Sequence, residues 1–231
     1  MKASTKLHDD AEHKVAYPQP NGVVYSKKKN FCPFSTPPLE EYASIIGAKR
    51  MERLQRAAEP LQGLNVLELN ATAQGGGVAE MLFSSVPFMN DLGVVTEWKI
   101  IKGNQNFFEC TKNLHNILQG MKGEFTPEME QCYYSTLEDK AQADLIEDPD
   151  VVMVNDPQPL GLAHHHKKGD ETWIWRCHID IEDTPLVAHP DLWDFLSRWI
   201  KNYDAAIFSA AHYIVSLWPP VSYTHLRAHE T

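Results

Sequence analysis

The chain has 231 residues, 43% hydrophobic and 23% charged, with a formal net charge of −10. That balance argues against a nucleic-acid partner, which needs a clustered basic surface, and no apolar run approaches the ~20 residues that span a bilayer. Cys32, Cys110, Cys132 and Cys177 are scattered without a CxxC pair, and the polar, charged N-terminus carries no visible signal peptide; together these favour a reducing, cytoplasmic setting and argue against a zinc knuckle.

In chain order, residues 1–37 are polar and proline-punctuated and read as a tether with a short extended arm in HKVAYPQPNGVVYS. LEEYASIIG and AKRMERLQRAAEPLQ predict two helices, the second ending near Pro60. The run from Leu64 to Asn70 predicts a buried strand, followed by a small polar turn to Gln74, three glycines (Gly75, Gly76 and Gly77), and a helix from Val78 to about Asn90. Val94 to Ile101 predicts a second strand, and FFECTKNLHNILQG a helix closed by Gly120. Thr126 is placed to cap a helix with Pro127 at its first position, running to about Ile146. Asp150 to Asn155, TWIWRCHI and AAIF predict further strands, with helices at Pro157 to His166 and Pro190 to Lys201. Strands alternating with helices predict an α/β sandwich around a mostly parallel sheet. In such sheets ligands bind beyond the carboxyl ends of the strands.

Three loops at those ends carry the chemistry. Glycines let a backbone approach an anion closely, and a helix N-terminus adds N–H donors and partial positive charge. The glycine loop therefore predicts a phosphate or sugar-phosphate cradle, although it matches neither the GxGxxG nor the GxxxxGK[ST] spacing; the alternative is a tight turn. Asp156 and Gln158 alternate with Pro157 and Pro159 on a stiff turn suited to sugar hydroxyls, while Asp156 is equally placed to cap a helix starting at Pro157. His178 and Asp180 follow the apolar strand TWIWRC. A His at that position can donate to a substrate or oppose developing charge, or it can be a satisfied structural side chain. Arg176 reads as half of a buried ion pair. His164, His165 and His166 read as a solvated helix end, since neighbours on a helix diverge by about 100°. Trp173, Trp175, Trp193 and Trp199 read as core packing rather than sugar platforms. No metal and no cofactor is called for.

NATAQGGGVAEML, TKNLHNILQG, NDPQPL, WIWRCHIDI and WDFLSRWIKNYDAAIFS together resemble the N-terminal half of the retaining, family-4 trehalose-forming glycosyltransferases. These are the trehalose synthases, to which the retaining trehalose phosphorylases are closely similar. The resemblance runs from about Leu39 to Trp218. It implies the Rossmann-like, acceptor-side domain of a GT-B enzyme that joins the glucosyl unit of ADP- or UDP-glucose to glucose, giving trehalose. It implies the diphosphate or transferred glucose beside Gly75, Gly76 and Gly77. His178 would then serve the donor sugar or its developing charge, and Asp156, Gln158 and Asp180 sugar hydroxyls. The other readings are a phosphorylase fragment and a non-catalytic sugar- or phosphate-binding domain. Whether the chain forms a homo-oligomer stays open.

The resemblance places one domain at 38–220 and expects a second, nucleotide-binding domain that this sequence does not contain, so the chain alone is expected to be inactive. The final VSYTHLRAHET, Val221 to Thr231, matches nothing in the family's pattern, has no strand or helix period, and reads as an unrelated, artefactual tail.

Overall fold

The computed structural model describes residues 18–19, 21–181 and 190–214 and the backbone of 222–224. The first half of the expected tether, and most of the tail, lie outside the described residues. In order, the elements are β1 (Val23–Tyr25), α1 (Leu39–Ile46), α2 (Ala48–Ala58), β2 (Asn65–Asn70), α3 (Gly77–Asp91), β3 (Val95–Ile100), α4 (Gln105–Leu118) and α5 (Pro127–Glu138). They continue with α6 (Lys140–Ala143), β4 (Val151–Asn155), α7 (Leu162–His166), β5 (Thr172–Cys177), α8 (Pro190–Ile200), β6 (Ala205–Phe208) and β7 (Ser222–Thr224). The sheet runs β1-β3-β2-β4-β5-β6-β7, and every pairing is parallel except β1 with β3. This is the α/β, mostly parallel architecture expected from the alternation of elements.

The central strands β2, β3 and β4 are buried on both faces along most of their length, as parallel strands require, while β5 and β6 alternate buried residues with more exposed ones. Leu67, Leu69, Val152, Val154, Trp173, Trp175 and Phe208 all lie in one large core cluster. The helices supply the other layer. On α8 the buried residues Leu192, Phe195, Leu196, Trp199 and Ile200 recur at three- and four-residue steps, one face of a helix. Trp173, Trp175 and Trp199 are core side chains and Trp193 packs partly buried against them, in line with the packing reading.

The extended arm docks as β1, and Gly22 makes the approach possible. Its φ is +82°, and a Cβ there would stand 2.8 Å from the Ile100 carbonyl oxygen. The Ser26 hydroxyl then donates to the Glu97 side chain.

Three expectations are corrected. The helix begun at Pro127 stops at Glu138, because Asp139 leaves helical geometry (ψ 136°) and its side chain caps the short α6 by accepting from Ala141 N–H. No helix starts at Pro157: the Tyr133 hydroxyl donates to the Pro157 carbonyl and accepts from Gly161 N–H, holding 157–161 as turns before α7. Within the tail, Ser222–Thr224 forms β7 in parallel register with β6 (Ala206 opposite Ser222), where no strand period was legible.

Candidate functional site

Register sets the site. Asn155 pairs with Arg176 and Cys177 with Phe208, so the loops after β4, β5 and β6 leave the sheet at neighbouring levels. The β2 loop joins them through the pairing of Leu69 with Val154. Between these loops lies a cavity of about 520 Å³. Gly75, Gly76 and Gly77 line it, as do Asp156, Gln158 and His178. Six of the seven residues proposed from sequence therefore meet in one cavity. The seventh, Asp180, is exposed and does not line it.

The glycine wall is held from below. The Asn70 side chain accepts from Trp98 Nε1 at 2.7 Å and donates to the Thr72 carbonyl at 2.7 Å. Thr72 Oγ1 bonds both the N–H and the carbonyl of Gln74. Gly75 and Gly76 then take φ of +70° and +91°, backbone that L side chains rarely adopt. Gly76 ends this turn as the residue before α3, whose N-terminus carries no side-chain cap. A Cβ at any of the three glycines would meet no protein atom within 4 Å, so the space above them is open. An uncapped helix start with open space above it suits an anion.

Asp156 sits opposite with φ +64°, a conformation that Asp tolerates better than most residues. Its N–H donates to the Arg176 carbonyl and its own carbonyl accepts from Trp175 Nε1. Its Oδ1 accepts the His178 N–H at 2.8 Å, so the carboxylate ties the β4 loop to the β5 loop and caps no helix. Burial pushes its pKa up to about 6, with the His178 N–H pulling the other way.

The His178 ring is bracketed by Ser209 Oγ at 3.0 Å from Nδ1 and Asn155 Oδ1 at 3.1 Å from Nε2. Behind Asn155 lies Glu68, buried on β2, which accepts from Asn155 Nδ2 at 2.8 Å and pairs with Arg176 at 3.3 Å. The ion-pair reading of Arg176 holds. The histidine run is less solvated than expected: His164 is exposed, but His166 is buried with Nε2 at 2.7 Å from the Leu137 carbonyl. His165 packs against Tyr134 and Trp199, and burial lowers its pKa to about 4. Among the described residues no group of three or more His, Cys, Asp or Glu side chains is placed to hold a metal ion, and no helix is long and apolar enough to cross a membrane.

Asn155, Ser209 and His115 also line the cavity; sequence reasoning placed Asn155 in the informative loop after its strand but gave none of the three a role. His115 faces it from α4; its Nδ1 is buried without a hydrogen-bond partner, and burial lowers its pKa. Only its place within TKNLHNILQG marked it.

The family model described as the N-terminal domain of trehalose synthase matches residues 68–215, which cover the glycine loop, Asp156, His178 and Ser209. The chain belongs to that family. Trehalose synthase of Pyrococcus horikoshii is 37% identical over 177 residues, covering 76% of this chain and 41% of the relative. That of Rubrobacter xylanophilus is 41% identical over 179 residues, covering 76% and 42%. Trehalose phosphorylase of Pleurotus pulmonarius is 30% identical over 187 residues, covering 73% and 25%. The chain thus spans about two fifths of the length of the trehalose synthases it matches. The solved apo structure of OtsA superposes with a TM-score of 0.50 at 15% identity, over 65% of this chain and 41% of that one, which is a likeness of fold. Its single, mostly parallel sheet is the Rossmann-like α/β fold that the resemblance implied for the N-terminal half of a GT-B protein.

Proposed function

We propose that this domain holds one side of the glucosyl-transfer site of an enzyme that joins nucleoside-diphosphate glucose (ADP- or UDP-glucose) to glucose, forming trehalose with retention at the anomeric carbon. The observation that carries this is the convergence of an open glycine turn, Asp156 with Gln158, and His178 on one cavity at the carboxyl ends of β2, β4 and β5. The glycine turn and the start of α3 offer backbone N–H groups to the phosphates. Gln158 and the Asp156 carboxylate offer hydrogen bonds to hydroxyls, and His178 meets the sugar.

No nucleophilic side chain is required. In a same-face transfer the bond from the anomeric carbon to the leaving phosphate oxygen breaks as the bond to the acceptor oxygen forms, and the departing phosphate takes the acceptor's proton. The products are trehalose and the nucleoside diphosphate. What the protein supplies is orientation and electrostatic preorganisation.

The similarity to trehalose phosphorylases supports a second reading, in which orthophosphate stands in for the nucleotide. Two incubations of the enzyme that carries this domain separate them. The synthase reading expects trehalose from glucose plus ADP- or UDP-glucose. The phosphorylase reading expects glucose 1-phosphate from trehalose plus phosphate. Neither product would end both readings.

A further inference from the structure

The contacts behind His178 fix which of its nitrogens carries the proton. Asn155 Nδ2 lies 2.8 Å from Glu68 Oε2 and 3.1 Å from the Leu69 carbonyl oxygen. A carboxylate oxygen of a side chain paired with Arg176, and a peptide carbonyl, both accept. The amide nitrogen of Asn155 must therefore face them, and its Oδ1 must face His178 Nε2, at 3.1 Å. An amide oxygen only accepts, so the proton sits on Nε2. Nδ1 is then a bare lone pair, and its 3.0 Å contact with Ser209 Oγ has the hydroxyl as donor.

We propose that Glu68 and Asn155 are positioning residues that hold His178 as the Nε2-protonated tautomer and so present Nδ1 to the cavity as a hydrogen-bond acceptor. A sugar hydroxyl would take over the bond that Ser209 makes now. The hydrogen-bond donor expected of His178 from sequence is on this account spent on Asn155. Glu68 acts from two residues away: it is buried, belongs to a neighbouring strand, and reaches the ring only through the amide. Metal-bound histidines are oriented in the same manner by partners behind the ring, and there the outer partner decides the tautomer. The ligand half of this proposal rests on the cavity being a sugar site; the tautomer does not.

The test reads the tautomer in the ligand-free chain, so a failed transferase assay leaves it standing. With ¹⁵N-histidine incorporated, long-range ¹H–¹⁵N correlation at a pH above the histidine range distinguishes protonated from bare ring nitrogens. A His178→Gln variant identifies the His178 signals among the 11 histidines. The expected result is a single form with the proton on Nε2. Glu68→Gln then tests the relay. Its Oε1 stays with Arg176, its amide opposes that of Asn155, and Asn155 is pulled both ways between turning round and keeping its bond to Leu69. The expected result is a mixture in which the Nδ1-protonated form appears. If Glu68 only held strands together, the variant would lose thermal midpoint and keep the tautomer. A proton on Nδ1 in the unmodified chain overturns the proposal, as does a folded Glu68→Gln variant with the Nε2 form alone. Should Glu68→Gln not fold, the unmodified chain still decides.

Discussion

At the scale of single residues, Asp156 works under two costs. It holds a left-handed φ, and burial raises its pKa to about 6, above the ordinary value near 3.8. Between those two values the native state binds the proton that the unfolded chain has released, so stability falls as pH rises through this window and stays lower above it. Asp156→Asn keeps an oxygen for the His178 N–H, suits the positive φ and carries no charge. We expect it to raise stability by about 1–2 kcal/mol at pH 7–8 and by little near pH 4, read from denaturant midpoints across pH. A variant less stable at pH 8 than the native protein would mean that the carboxylate is stabilised by its surroundings. Sequence reasoning singled out Asp156, Gln158 and His178, which line the cavity, because loops after apolar strands are legible. It gave no role to Asn155, which reads as the last residue of its strand, and missed His115, whose helix brings it to the cavity only in three dimensions. A side chain that matters through what it touches across 23 residues, as Asn155 touches His178, leaves no local signal.

At the scale of elements, the β2–α3 unit was the most legible part of the chain. An apolar run, a polar turn and three glycines before an amphipathic run specify a strand, a left-handed turn and a helix start, and α3 begins at Gly77, one residue from the expected Val78. The longer helices misjudged in the sequence failed for physical reasons. A side chain that caps locally, Asp139, ended α5, and a distant hydroxyl, that of Tyr133, claimed the backbone of 157–161. The glycine unit also yields a clean experiment. Gly75 and Gly76 hold positive φ, so alanine there strains the backbone whatever the ligand does. Gly77 does not, and nothing lies within 4 Å of a Cβ built on it. Gly77→Ala should keep or raise the thermal midpoint, by up to about 1 kcal/mol in stability. If the turn cradles phosphate, the methyl intrudes on the ligand, and the KM for nucleoside-diphosphate glucose should rise roughly tenfold or more. An unchanged KM would assign the glycines to chain geometry alone.

At the scale of the molecule, alternation of strands and helices was enough to predict a parallel sheet with its site at the carboxyl ends, because a βαβ connection returns the chain to the same end each time. Strand order was not legible, and neither was β7, since three residues among charged neighbours bear no period. The proposed function stands or falls on whether the cavity between the glycine turn, Asp156 and His178 is where the glucosyl unit reacts. His178→Ala, made in an enzyme that carries this domain, tests that most directly when trehalose formation and the unfolding midpoint are measured on the same preparation. The expected result is a folded variant with nearly the native midpoint and turnover lowered by roughly 10²–10³, the scale of removing one preorganised polar group from the transition state's surroundings. A folded variant with near-native turnover would contradict it.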